Sequence, residues 1–184
     1  MHGVHEEGES ENVSHDTNPS DALKYIKHAP FDSKTSVSTT SWPGPRKLKG
    51  SNKTRMHKGV DFGMTNGSAV YSAGSGTVKR SSLQTKQDDD NNGIGYGYGN
   101  VIEIDHGGGY STVYGHMSIM SIRKGDLVES GNEIGKSGGV KGGQGSGNSR
   151  GPHLHFEIRE NGKQITNKST LIKIFNAMEK PSGN

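Results

Sequence analysis

Three short stretches of this 184-residue chain carry side chains able to hold a cation and to move protons. The first is 57-HKGVD-61, a His and an Asp four apart across a glycine turn that enters a β-type run. Alone, such a pair is ordinary surface chemistry; together the two side chains can converge on one ion. The second is 153-HLHFE-157. Side chains alternate along a strand, so His153, His155 and Glu157 share one face and Leu154 and Phe156 the other. The apolar pair can anchor the strand while both imidazoles face a groove, and two imidazoles on one strand face are a common start for a zinc site. The third is 114-YGHM-117, which puts His116 near the end of a strand and is uninformative by itself.

Taken together the stretches say more. His57, Asp61 and one of His153 and His155 make a neutral-imidazole and carboxylate set that suits one Zn²⁺ and leaves a position for water. Strand parity does not choose between His153 and His155. Two histidines then remain off the metal. A zinc-bound water has its pKa lowered toward about 7. A nearby His can take that proton and later deliver one to a leaving amine. Such a constellation is what hydrolysis of a peptide bond requires. Glu157, on the same strand face, can orient an imidazole from behind.

These residues need a scaffold, and the pattern around them is β. From Val60 onward short β-branched runs alternate between glycines: 69-AVYSA-73, 76-GTVKRSS-82, 100-NVIEIDH-106, 110-YSTVYGHM-117, 127-LVES-130, 133-EIGKS-137 and 153-HLHFEIRE-160. That is the signature of an antiparallel sheet or sandwich. The segment 107-GGG-109 between two runs predicts a hairpin turn. A short helix is expected over 22-ALKYIKH-28, with Ser20 or Asp21 as N-cap. A second fits 170-TLIKIFNAMEK-180, where Leu171, Ile174, Phe175 and Met178 fall on one face and Pro181 ends it. Residues 1–43 read as a flexible lead-in with that short helix, 44–180 as one domain, and 181–184 as a tail. Residues 29–56, rich in Ser, Thr, Pro and Lys, read as extended. Residues 84–99 and 138–151 are polar, Gly-rich loops long enough to be functional. Asp88-Asp89-Asp90-Asn91-Asn92-Gly93 lacks the alternating ligands and closing Glu of a calcium loop and reads as a solvated hairpin tip.

Composition closes off other classes. Only 27% of residues are hydrophobic and 29 are Gly, which disfavours a helical bundle because Gly is costly inside helices. No apolar run approaches the roughly 20 residues of a bilayer span, so no membrane insertion is expected. The first fifteen residues have neither the basic start nor the apolar stretch of a signal peptide. Without Cys there is no disulfide, thiolate metal site or cysteine nucleophile. The net charge is +3, but Glu6, Glu7, Glu9, Glu11 and Asp16 put −5 in the first sixteen residues, so the rest carries +8. A mildly basic body suits a polyanionic partner such as a bacterial cell wall. The basic residues are scattered and not interleaved with aromatics, so no nucleic-acid partner is expected.

The ordered motifs 44-GPR-46, 56-MHKGVDFG-63, 67-GSAVYSAGSGTV-78, 99-GNVIEIDHGGGYSTVYGHMS-118, 125-GDLVESGNEIG-135 and 151-GPHLHFEIR-159 resemble the lysostaphin-type zinc metallopeptidases, which cut peptide bonds in bacterial peptidoglycan. The resemblance runs from about Gly44 to Glu160. It implies zinc ligands at His57, Asp61 and His155, and chemical roles for His116 and His153 as base and as stabiliser of the tetrahedral intermediate, in either order. Arg46, eleven residues before His57, would bind substrate carboxylate or carbonyl. His106 also fits a family position and reads as structural. Some members carry a Tyr a few residues before the first ligand; here no Tyr lies between Tyr25 and Tyr71. The resemblance implies a mainly β fold with an open groove, walled by the Gly-rich loops, and a peptidoglycan peptide as substrate. The expected place of action is the cell wall, reached outside the cell, by lysis, or on a phage virion whose components would then be partners. The rival class is a non-catalytic wall-binding, regulatory or virion-structural domain on the same sheet.

Overall fold

The computed structural model describes residues 17–47, 50, 52–84 and 97–183. Two antiparallel sheets and a two-stranded ribbon make up most of it. In the large sheet the strands β1 (Ser38–Ser41), β4 (Val60–Gly63), β12 (His153–Glu160), β8 (Tyr110–Gly115), β7 (Asn100–Gly107), β6 (Gly76–Leu83) and β10 (Leu127–Val128) lie side by side in that order, and β13 (Lys163–Gln164) adds to β12. The small sheet has the order β5 (Ala69–Tyr71), β11 (Glu133–Ser137), β9 (Met117–Met120). The ribbon is β2 (Gly44–Lys47) with β3 (Thr54–His57).

Alternation decides which way the large sheet faces. Val60 and Phe62 of β4, Leu154, Phe156 and Ile158 of β12, Tyr114 of β8, Ile102 and Ile104 of β7 and Val78 of β6 are all buried on one side. Each such large apolar side chain contributes about 1.5–3 kcal/mol by leaving water. The opposite side of the same strands then carries Asp61, His153, His155 and Glu157. Helix α2 (Lys168–Ala177) covers the apolar side with Leu171 and Ile174, and Phe175 packs edge-on to Phe62 at 5.5 Å between ring centroids. Among the described residues, no helix is long and apolar enough to cross a membrane.

The β-rich architecture with two helices is the one expected, and β12 spans the predicted residues. Other boundaries move. Helix α1 is only Pro19–Ala22, capped by Asn18, whose side chain accepts from the Ser20 amide. The chain leaves the helix because the amides of Lys27 and His28 donate to the Ala73 carbonyl, a tertiary bond that outcompetes helix propensity. Helix α2 starts earlier, on the Asn167 cap, and ends at Ala177, where Glu179 turns to bridge to His28. Strands β1, β2 and β3 lie in the stretch read only as extended. They are mostly exposed on both faces, so no apolar alternation marks them. The predicted run 127–130 contributes only Leu127–Val128 as strand. The run 110–117 is cut at His116: β8 ends at Gly115 and β9 leaves for the small sheet. The 107-GGG-109 turn forms as predicted, all three glycines having positive φ, which few other residues adopt. The acidic run 88–93 lies outside the described residues, as do residues 85–96 of its loop.

Candidate metal centre

Antiparallel register builds the centre. His155 on β12 stands directly opposite Asp61 on β4 and opposite Gly115 on β8, so its side chain rises between the Asp61 carboxylate and the residue after Gly115, His116. His57 ends β3, and Lys58 and Gly59 turn the chain into β4. Gly59 is required by space: a Cβ there would lie 2.6 Å from the Phe156 carbonyl and 2.7 Å from His155 Nε2.

The atoms of His57, Asp61 and His155 converge. His57 Nε2 lies 3.0 Å from Asp61 Oδ1, His155 Nδ1 lies 3.0 Å from the same oxygen, and the two nitrogens are 3.3 Å apart. Ligands at about 2.0–2.1 Å from a tetrahedral Zn²⁺ stand roughly 3.3 Å apart, so the three atoms fit one face of such a tetrahedron. Their outer partners fit as well. His155 Nε2 is 3.0 Å from Glu157 Oε1, so an Nε2–H donates there and leaves the Nδ1 lone pair pointing inward. His57 Nδ1 lies between the Trp42 carbonyl at 2.9 Å and Arg46 Nη2 at 2.8 Å; the tautomer that donates to the carbonyl frees Nε2 in the same way, with the guanidinium N–H then shared among Asp61 and Ser41. All three residues are buried.

Charge around the centre is balanced at close range. Burial works to raise the Asp61 pKa, but hydrogen bonds and charge from His155 and His57 hold it far below the usual carboxylate range. Burial likewise works against a charged His155, yet Asp61 and Glu157 outweigh it and push its pKa up to about 9. A metal ion would take the place of that proton. Glu157 is almost wholly buried; burial is overcome by His155, Arg159 and Tyr98, and its pKa falls to about 2. Arg159 Nε and Nη2 each lie 2.8 Å from Glu157 Oε2.

The remaining histidines stand beside the cluster. His116 and His153 have ring centroids 4.7 Å apart, and His116 lies 5.9 Å from the His155 ring. His116 Nδ1 is 2.8 Å from the Ser146 carbonyl and donates to it, leaving Nε2 bare. Burial, then the neighbouring His155 and His153, drives the His116 pKa down to about 3. His116 also sits at φ 59°, a left-handed conformation uncommon for a non-glycine residue. His153 Nδ1 is 2.8 Å from the Gly151 carbonyl, and its Nε2 comes no nearer than 3.7 Å to Asp61 Oδ1. Arg46 reaches inward: its Nη2 donates to Asp61 Oδ2 at 2.9 Å and contacts Ser41 Oγ. The guanidinium expected to meet substrate is therefore engaged with a member of the cluster. His106 donates or accepts only within the core, to the Ser75 carbonyl at 2.9 Å and Thr112 Oγ1 at 2.7 Å.

The model of peptidase family M23 matches residues 55–167, which include every residue of this cluster. The chain belongs to peptidase family M23. Among curated relatives, the peptidoglycan DD-endopeptidase ShyA of Vibrio cholerae is 30% identical over 179 residues, 96% of this chain but 36% of ShyA. Among solved structures, a zinc containing peptidase from Vibrio cholerae is 29% identical with a TM-score of 0.62, over 77% of this chain and 38% of that one. The catalytic domain of lysostaphin from Staphylococcus simulans is 27% identical with a TM-score of 0.55, over 84% and 98%. The chain thus spans about a third of ShyA's length. Membership makes this a chain of a peptidase family, with a His-Asp-His cluster able to hold a metal.

Three groups that hold the centre's histidines are not visible in the sequence. The Trp42 and Ser146 carbonyls are main-chain atoms and carry no sequence signal. Tyr98, whose ring lies 5.5 Å from that of His155, sits in 95-GYGYG-99 beside no strand pattern that would aim it.

Proposed function

We propose that this chain is a zinc-dependent endopeptidase that hydrolyses peptide bonds in the stems or cross-bridges of bacterial peptidoglycan. The observation that carries the reading is the mutual 3.0–3.3 Å spacing of three buried donor atoms whose outer partners leave their lone pairs turned inward. The family and the name of the ShyA relative support the wall as substrate. Zinc held by His57, Asp61 and His155 would supply Lewis-acid polarisation and an acidified water.

The rest falls to the chain's own side chains. His116 and His153 are the groups that hold and move the proton. Each has its Nδ1 against a main-chain carbonyl, which fixes the ring and leaves Nε2 bare. His116, neutral in its buried place and with Nδ1 held by the Ser146 carbonyl, offers a bare Nε2 as the proton acceptor, while the more exposed His153 lies toward solvent and incoming peptide. Arg46, already bound to Asp61 Oδ2, keeps that oxygen turned from the other donors and leaves Oδ1 to the ion. The place of action is the cell wall.

Purified peptidoglycan tests the reading. New amino groups should appear on incubation with the chain, vanish with a chelator and return with zinc. Binding to the wall with no new amino groups at full zinc loading would favour the non-catalytic alternative.

A further inference from the structure

Tyr98 belongs neither to the ligand set nor to the proton-moving histidines, yet it touches the supports of both. Its hydroxyl donates to Glu157 Oε1 at 2.5 Å, the same oxygen that accepts from His155 Nε2 at 3.0 Å. Its carbonyl accepts from the His116 amide at 2.7 Å. Its own amide donates at 2.7 Å to Oε1 of the buried Gln84, whose amide donates at 2.8 Å to the Gly99 carbonyl. Residues 84, 98 and 99 are thereby tied to each other and to the floor of the centre. The ring fits over Gly115, where a Cβ would come within 3.2 Å of Tyr98 Cδ1.

We propose that Tyr98 is a positioning residue for the metal centre: its hydroxyl keeps Glu157 turned so that His155 presents Nδ1 inward, and its carbonyl holds the backbone of His116. A carboxylate rotates easily about its last bond, because that torsion is broad. Arg159 grips Glu157 by Oε2 alone, through two nitrogens. Arg159 Nη2 also lies 3.3 Å from the Tyr98 hydroxyl, which occupies that donor's other side. Without the hydroxyl, Oε1 keeps only the His155 donor. Glu157 is then free to turn until Arg159 bridges both oxygens in a fork, the geometry guanidinium and carboxylate prefer. That turn draws Oε1 off His155 and loosens the ligand.

The inference rests on the zinc reading of the cluster, not on any particular substrate. Tyr98→Phe removes the hydroxyl and keeps the ring, the amide and the carbonyl. Zinc affinity is measured on the full chain with zinc alone, by competition against a chromophoric chelator, with near-ultraviolet circular dichroism and melting as checks on the fold. Loss of an outer partner of a metal-binding His weakens affinity about 10–100-fold. The expected result is a loss near the lower end, about 10-fold, for Tyr98→Phe and at least that for Glu157→Gln. Since the hydroxyl acts through Glu157, the double variant should bind no more weakly than Glu157→Gln alone. Unchanged affinity in Tyr98→Phe, or losses that simply add in the double variant, would overturn the inference. Wild-type chain that binds one zinc and fails to cleave peptidoglycan would refute the functional reading and leave this result standing.

Discussion

Gly59→Ala tests how tightly the ribbon must close over the centre. Gly59 has no positive φ, so alanine meets no backbone penalty; only space opposes it. The new methyl would lie 2.6 Å from the Phe156 carbonyl, 2.7 Å from His155 Nε2 and 2.8 Å from His155 Cε1. Two of these three atoms belong to one metal-facing imidazole, and the third is main chain in the central strand. Neither can yield without moving the β3–β4 turn away from β12 or rotating His155 off Glu157. Forcing a methyl into a packed site costs about 1–3 kcal/mol. For a domain of this size each kcal/mol lowers Tm by about 2–4 °C, so a fall of roughly 2–12 °C is expected. The same displacement should weaken zinc binding, since His57 and Asp61 flank Gly59 on both sides. Calorimetry and zinc titration read the two effects. Gly151→Ala is the stability control: nothing lies within 4 Å of a Cβ there and its φ is ordinary. A Gly59→Ala chain that melts and binds zinc as the wild type does would refute the packing argument.

His116→Ala should keep metal content near one zinc per chain while hydrolysis of peptidoglycan falls by about 10²–10⁴-fold, the usual contribution of a proton-transfer group; loss of zinc with the activity would contradict the division between ligand and proton carrier. Zinc binds the folded arrangement of β3, β4 and β12 and so should raise stability by about 4 kcal/mol when free zinc is about 1,000 times its Kd; a melting temperature indifferent to chelator would count against the site. His106 is buried and its pKa lies below the ordinary value, burial being the main cause. Its folded pKa is depressed, so it adds stability above pH about 6.5 that is lost as pH falls and the unfolded chain takes up the proton. Chemical denaturation from pH 7 to 5 should show a shallower decline in a His106→Gln chain than in the wild type; parallel declines would assign the acid sensitivity elsewhere.

Much of the centre was legible because its strand is simple. Alternation in 153-HLHFE-157 placed Leu154 and Phe156 in the core and the imidazoles opposite, and the structure has them so. The choice between His153 and His155 was not available from parity, since both lie on one face. Register separates them: His155 stands across from Asp61, and His153 across from Gly63, one step further out. The strand end near His116 is legible, but its left-handed backbone is not, because His does not mark a positive φ as Gly would. Strands β1 to β3 were hidden for a different reason: their partners, not their own side chains, make them strands. The contact of Arg46 with Asp61 is illegible in the sequence because it depends on the ribbon that swings the guanidinium inward.

X-ray absorption at the zinc edge, on full chain loaded with one equivalent, tests the central claim most directly. The account predicts one tightly bound zinc per chain in a four-coordinate shell of nitrogen and oxygen at about 2.0–2.1 Å, with the multiple-scattering signature of two imidazoles. That signature should drop to one imidazole in His155→Ala. A six-oxygen shell, or an imidazole signal unaltered by that substitution, would contradict it.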